Sequence, residues 1–286
     1  MRVGLLCSRI RVEEKLLRDA LVRRGIDVVC IDDRDVVMEL GRPWRDWDVV
    51  LERSLSQTRA LAALRVLDSW RVPSVNTLAV TALCNDKLAT TSVLAAAAIA
   101  VPRTAVAFTP ESALRAAEEI GYPLVMKPIA GSWGRLLARI NDRDAAEALF
   151  EHRASLGSPE QSIFYLQEHC EKPARDIRAF VVGDETVCAI YRYSDHWITN
   201  TARGATTRNC PVSDELDTLC RSAAAAVGGG ALAVDLLEDS GRLLVSEVNA
   251  TMEFRNSIDV TGVDIPARVA DFVIAVGTGG LIAVEA

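Results

Sequence analysis

Short apolar runs alternate with helical stretches through the first 76 residues, and this alternation restricts the fold more than any other feature of the chain. Residues 2–7 form an apolar run. A helical pattern over 12–24 follows, stopped by Gly25, a residue suited to the left-handed turn after a helix. Further strands are predicted at 27–31, 48–51 and 72–75, with a helix over 57–70. Strands separated by helices cannot be joined by tight hairpins, so a mainly parallel sheet is implied. No Gly-x-Gly-x-x-Gly follows the first strand, so a dinucleotide fingerprint is absent. The opening run has the look of a signal peptide core. However, Arg9, Arg11, Glu13 and Glu14 follow at once with no small-residue cleavage site, and the run reads as a strand.

Beyond residue 80 the pattern changes. A helix is predicted over 78–98, ending before Val101-Pro102. Thr109-Pro110-Glu111 opens another, with a capping residue followed by proline in the first turn. A strand at 122–128 leads into a glycine-containing loop at 130–135. A helix starts at Asp142 or Asp144 and runs to 156, before a strand at 162–168. From Cys170 onward, strands at 177–182 and 186–193 flank Gly183-Asp184, a good hairpin turn. A helix over 214–227 precedes strands at 231–238 and 243–249 around Asp239-Ser240-Gly241, and a last helix follows Pro266. The expected fold class is therefore α/β followed by α+β, divided as 1–80, 81–169 and 170–286.

Bulk properties narrow the function. The net charge of −7 and the pI of about 5.2 speak against nucleic-acid binding through a basic face. No apolar run approaches the roughly 20 residues of a membrane span. Seven scattered cysteines with no Cys-x-x-Cys, and three distant histidines, do not make a zinc site. Dispersed thiols fit a reducing, cytoplasmic setting.

The sharpest chemical signal is the last hairpin. Glu247 and Asn249 are two apart and share a strand face, and the turn near Ser240-Gly241 sets Asp235 roughly opposite Glu247. Opposed carboxylates on otherwise apolar strands repel one another. A bound cation relieves the conflict, and an all-oxygen set favours magnesium or manganese. From spacing alone, a solvated polar face on an edge hairpin remains the alternative. Lys127 ends an apolar strand, and the loop Gly131-Ser132-Trp133-Gly134-Arg135 could lay backbone N–H groups over phosphates, although an ordinary turn serves equally. Lys87 matters only if it meets the same site from another side. The strand ending Gln167-Glu168-His169-Cys170 offers backbone groups to an adenine. Arg178 and Arg192, in strand-like runs, could bind carboxylate or phosphate through both guanidinium arms.

Taken in order, Asp86-Lys87, Lys127-Pro128 with its glycine loop, Gln167-Glu168, Asp176-Ile177-Arg178, Asp235 and Glu247-Val248-Asn249 resemble the ATP-grasp superfamily. The runs 131–135, 196–204 and 247–254 are similar to those of the LysX-type carrier-protein ligases of lysine and arginine biosynthesis, relatives of the ribosomal-protein glutamate ligases. Ala250 stands where some relatives have His. The resemblance implies an ATP-grasp fold: an N-terminal α/β domain, a central lid and a C-terminal domain, with ATP between the last two. It implies that Lys87 and Lys127 hold phosphates beneath the loop Gly131 to Leu137, which includes Leu136. Gln167, Glu168, His169, Cys170, Asp176 and Arg178 would line the adenine and ribose, and Asn200 would meet the nucleotide. Arg192, Arg203, Asn256 and Ser257 would meet the amino-acid substrate, Asp235, Glu247 and Asn249 would ligate Mg2+ (or Mn2+), and Lys127 and Arg178 would act in catalysis. The implied reaction forms an acyl phosphate on the C-terminal Glu of the small acidic carrier LysW and couples it to α-aminoadipate, with glutamate as the alternative amine. The implied assembly is a homodimer or homotetramer. An acidic chain that binds an acidic carrier needs a local basic surface, for which Arg9, Arg11, Arg53 and Arg59 are the candidates.

Overall fold

The computed structural model describes residues 1–131, 136–156, 162–199 and 204–280. Strands β1 (Arg2–Cys7), β2 (Asp27–Asp32), β3 (Val49–Glu52) and β4 (Ser74–Val75), with helices α1 (Val12–Val22) and α2 (Gln57–Ser69), build a sheet of order β2-β1-β3-β4. All its pairings are parallel, as the alternating pattern requires. The helix expected over 78–98 is instead two, α3 (Leu78–Cys84) and α4 (Lys87–Ala96). Asp86 breaks the run because its carboxylate accepts the Ala89 N–H at 2.9 Å and so starts a new helix. The break puts Lys87 at the first position of α4.

The middle sheet is antiparallel, of order β5-β8-β6-β7. It comprises β5 (Thr104–Ala107), β6 (Leu124–Lys127), β7 (Ala138–Ile140) and β8 (Phe164–Glu168), covered by α5 (Pro110–Ile120) and α6 (Arg143–Ser155). Thr109 caps α5 and Asp142 caps α6. Ala113, Ala117, Phe150, Phe164 and Leu166 fill the space between helices and sheet. The three- and four-residue strands β5 and β7 are too short to show a period of two and were not anticipated.

The third sheet, order β11-β10-β9-β12-β13, is also antiparallel. Its strands are β9 (Arg175–Val182), β10 (Glu185–Tyr193), β11 (Thr206–Cys210), β12 (Ala231–Asp239) and β13 (Arg242–Asn249), with helices α7 (Asp214–Ala226), α8 (Arg255–Thr261) and α9 (Ile265–Gly277). The polar edge strand β11 and the two-turn helix α8 were likewise not anticipated. One face of this sheet, with Ala179, Val181, Leu232, Val234 and Val248, packs on α7, and α3 and α4 add Val80, Cys84 and Leu94 to the same core. On the other face, Phe180, Val182, Ile190 and Ala233 share a core with Val3, Leu5 and Leu51 of the first sheet and Val269 of α9. Further along that same face the residues become Asp176, Arg178, Arg192 and Asp235, which no longer meet the first sheet and border a cleft. Among the described residues, no helix is long and apolar enough to cross a membrane.

Candidate active site

The turn of the β12–β13 hairpin has Ser240 at φ 50° and Gly241 at φ 80°, the paired left-handed conformation that matches strand twist. Strict alternation from this turn would set Ser246 opposite Asp235. A bulge between Asp235 and Leu236 changes the register, and Asp235 pairs with Glu247. The irregularity brings the two carboxylates together, as bulges next to active sites commonly re-aim side chains. Asn249 shares the Glu247 face and pairs with Ala233.

Neighbouring strands compensate this negative charge. Arg178, paired with Asp235 across β9–β12, donates to both its carboxylate oxygens at 2.7 Å. Arg192, paired with Asp176 across β9–β10, donates to its oxygens at 2.6 and 2.8 Å and lies 3.3 Å from Asp235. Burial alone would raise the Asp235 pKa, but the two guanidinium groups overcome this and hold it at about 2. The bidentate geometry expected for Arg178 and Arg192 is present, directed at the protein's own carboxylates. Lys172 donates to Thr199 Oγ1 at 2.7 Å and stands 4.0 Å from Asp176; burial lowers its pKa. Nothing in the spacing of Lys172 or Thr199 singled them out, because each comes from an irregular segment that only the fold places here.

Across the cleft, Lys127 at the end of β6 donates to Gln167 Oε1 at 2.6 Å and lies 3.4 Å from Ser246 Oγ. Burial pushes its pKa down to about 8, against the pull of Glu247, and the charge of Lys87 adds to the lowering. Gln167 is buried; its amide nitrogen donates to Thr104 Oγ1 at 3.1 Å and contacts Tyr165 Oη at 3.3 Å. Its side chain therefore orients Lys127, beyond the adenine contact that the resemblance implies. Lys87 reaches the site from α4: its ammonium donates to the Gly131 carbonyl at 2.7 Å and lies 3.0 Å from Glu247, while its N–H bonds to Ile129 O at 2.8 Å. Gly131 has φ 129°, a conformation that favours glycine.

The cleft is also lined by Val125, Leu137, Glu168, His169, Cys170, Trp197, Ile198 and Leu237. Glu168 Oε1 accepts the Arg103 N–H at 2.7 Å. Burial lowers the His169 pKa and raises that of Cys170 to about 11, which leaves the thiol unreactive. Leu136 is exposed. The expected contacts of Ser132, Trp133, Gly134, Arg135, Asn200 and Arg203 lie outside the described residues. The structure does not bring Asn256 and Ser257 to the cleft. Both sit on α8, Asn256 exposed with its carbonyl accepting from Thr207 Oγ1 at 3.1 Å, and Ser257 buried. Arg53 cannot serve as a docking surface: it is 4% exposed, lies 3.0 Å from Glu14 and donates to Met252 O at 2.9 Å. Arg9 and Arg59 remain exposed.

Asp235, Glu247 and Asn249 fit a magnesium ion. Two opposed carboxylates and an amide supply only hard oxygen ligands. Magnesium is typically held by one or two carboxylates together with substrate phosphates. Among the described residues, the cleft lining carries six cations (Arg11, Lys87, Lys127, Lys172, Arg178 and Arg192) and five carboxylates (Glu168, Asp176, Asp235, Glu247 and Glu253), so a chain of net charge −7 gathers its cations at a place where a polyphosphate could meet them.

Comparison with known proteins gives the family. Residues 3–83 match the LysX preATP-grasp domain and residues 84–273 the RimK-like ATP-grasp domain. The chain is 36% identical to the alpha-aminoadipate–LysW ligase LysX of Sulfolobus acidocaldarius, over 90% of this chain and 95% of the relative. It is 31% identical to the glutamate–LysW ligase ArgX of the same organism, over 96% and 98%. A RimK domain ATP-grasp protein from Sphaerobacter thermophilus superposes with a TM-score of 0.78 at 28% identity, over 96% of this chain and all of that one. The D-alanine–D-alanine ligase of Bacillus anthracis, at 16% identity and a TM-score of 0.72 over 98% of both chains, shares the fold. The cation-ringed pair of opposed carboxylates thus lies where two ATP-grasp sheets face each other, and the chain belongs to the RimK-like ATP-grasp family of ATP-dependent carboxylate–amine ligases.

Proposed function

We propose that this chain joins the amino group of α-aminoadipate to the side-chain carboxylate of the C-terminal Glu of the carrier protein LysW, with ATP converted to ADP through an acyl phosphate. One observation carries the reading: Asp235 and Glu247 oppose each other beneath cations from three directions, Lys87 from α4, Lys127 from the middle sheet, and Arg178 and Arg192 from the third. A carboxylate does not acylate an amine at neutral pH because oxide is a poor leaving group. Phosphorylation makes phosphate the leaving group instead. The protein's task is then positioning and charge stabilisation.

Magnesium held by Asp235, Glu247 and Asn249 would supply positive charge to the phosphate oxygens. Lys87 and Lys127 neutralise the transferring phosphoryl group. Arg178, already fixed by Asp235, orients the carboxylate to be activated, and Arg192, fixed by Asp176, meets the amino-acid substrate. Val125, Leu137 and Leu237 receive the adenine next to the backbone of residues 168–170, and exclude water from that end. The carrier approaches on the side of the first sheet, where Arg9 and Arg59 are exposed, so its affinity falls with added salt.

A second reading has glutamate as the amine. It is favoured by the ArgX match over nearly the whole chain and by the placement of Asn256 and Ser257 outside the cleft. The two readings separate in one assay. Purified protein, ATP, magnesium and carrier are offered each amino acid, and the carrier is weighed by mass spectrometry. Faster addition of α-aminoadipate supports the first reading; faster addition of glutamate replaces it with the second.

A further inference from the structure

Four consecutive residues follow Asn249 directly, and each is held by a side chain from the first 76 residues. Asn76 Nδ2 donates to the Ala250 carbonyl at 2.6 Å. Thr251 Oγ1 donates to Glu52 Oε2 at 3.4 Å. Arg53 Nη1 donates to the Met252 carbonyl at 2.9 Å, and Arg11 Nη1 to Glu253 Oε1 at 2.7 Å. Residues 250–253 thus form a strap laced at every position to the strand ends and the helix start of the first 76 residues.

The anchors are themselves fixed. Besides holding Ala250, the Asn76 amide donates to Ala231 O at 2.9 Å and accepts the Ala231 N–H at 2.8 Å. It ties the strap to the start of β12 with both donor hydrogens and its oxygen engaged. Gly230, at φ 123°, lies so close that a Cβ there would collide with this amide. Arg53 and Arg11 share Glu14, which is fully buried and accepts from Arg53 Nε at 3.0 Å and from Arg11 Nη2 at 2.9 Å. Burial would raise the Glu14 pKa, but the bonds from Arg11 and the charge of Arg53 reverse this and lower it. Removing one partner from such a buried network leaves an uncompensated charge.

Asn249 needs a support of this kind. Asp235 is fixed by two arginines and Glu247 by Lys87, whereas the Asn249 side-chain nitrogen is buried with no hydrogen-bond partner among the described residues. No such bond orients its amide, so its place is set by its backbone, which the β12–β13 ladder holds on one side and the strap on the other. We infer that the strap is a positioning device for the metal site: Asn76 and Arg53, acting through residues 250–252, hold Asn249 where it can ligate a divalent cation beside Asp235 and Glu247. This rests on the reading of those three residues as the metal ligands.

The test measures Mn2+ binding in the presence of a non-hydrolysable ATP analogue, by the electron paramagnetic resonance signal of free Mn2+, with thermal melting in parallel. Outer-shell supports typically change metal affinity by about 10–100-fold. Asn76→Ala is expected to weaken Mn2+ binding by about that factor, Arg53→Met by less and Arg11→Ala by least, following distance from Asn249. Arg53→Lys recovers part of the Arg53→Met loss. Should Asn76→Ala fail to fold, Thr251→Val, which removes a bond at the rim of the cleft, decides by the same readout, with a loss expected between those of Asn76→Ala and Arg53→Met. Lower melting points with unchanged Mn2+ affinity overturn the positioning role and leave the metal reading standing. A wild-type protein that binds no Mn2+ overturns both.

Discussion

The third sheet and the middle sheet face each other across the cleft and hold their charges differently. On the third sheet, Arg178–Asp235 and Arg192–Asp176 are cross-strand neighbours joined by two short bonds each. Their geometry is fixed by the ladder itself. On the opposite wall, Lys127 reaches across the gap to Ser246 only at 3.4 Å, and Lys87, from the start of α4, which itself packs on the third sheet, meets Glu247 through a single contact at 3.0 Å. The first wall is preorganised before any ligand arrives, so little reorganisation accompanies the reaction. The second spans two sheets, and its contacts are single ones that phosphate oxygens can replace. Orientation of the substrates is thus assigned to charges within one sheet, and capture of the polyphosphate to lysines between sheets.

The largest effects should come from the preorganised wall. Asp235→Asn and Glu247→Gln are expected to abolish ligation, a loss of several kcal/mol of charge stabilisation and hence roughly a thousandfold or more, while circular dichroism shows an intact fold. Normal activity in both variants would sink the metal assignment. Asp235→Ala should in addition lose up to about 3 kcal/mol of stability, because it takes the bidentate partner from Arg178 while Arg192 keeps Asp176. Urea titration reads that difference.

On the opposite wall the loss should fall on nucleotide handling more than on folding. Lys127→Met is expected to reduce kcat/KM for ATP by about a hundredfold. The working form of Lys127 is the cation, and its pKa is lowered to about 8. Nucleotide affinity of the free protein should therefore be full below pH 8 and fall as pH rises through it. Lys127→Arg should flatten the profile, since a guanidinium stays charged. A profile equally steep in both proteins would mean that another group titrates.

Smaller effects belong to elements outside the cleft. Ser257, on the buried face of α8, is 1% exposed, so Ser257→Phe should destabilise the fold by about 1–3 kcal/mol through overpacking. If α8 nonetheless shapes the amine site, Asn256→Gly with Ser257→Phe shifts preference toward glutamate, by no more than about 1–3 kcal/mol. An unchanged ratio of the two amines in a competition assay places amine selection elsewhere. Smallest of all, Ser213→Ala removes the cap of α7, whose side chain accepts the Leu216 N–H at 3.2 Å. About 1 kcal/mol of stability should be lost with no change in ligation rate.

Local chemistry made much of this molecule legible in the chain alone. The parallel first sheet followed from the alternation of apolar runs with helices. Thr109, Asp142 and Pro266 announced the starts of their helices because capping is decided within four residues. The pairing of Glu247 and Asn249 on one face followed from the two-residue period of a strand, and Gly183-Asp184 marked its hairpin. Where the signal spans few residues, or lies between distant ones, the chain was silent or misleading. Asp86 divided a helix that its apolar content would have kept whole. Strands β5 and β7 gain their identity only from the partners that pair with them. The bulge that turns Glu247 rather than Ser246 toward Asp235, the satisfaction of Arg178 and Arg192 by neighbouring carboxylates, the withdrawal of Arg53 into a buried ion pair and the lacing of residues 250–253 to strand ends some two hundred positions away were decided by tertiary structure. The physical reason is the same in each case: a hydrogen bond or ion pair between remote residues depends on the register and burial of whole sheets, which no local pattern of residue types encodes.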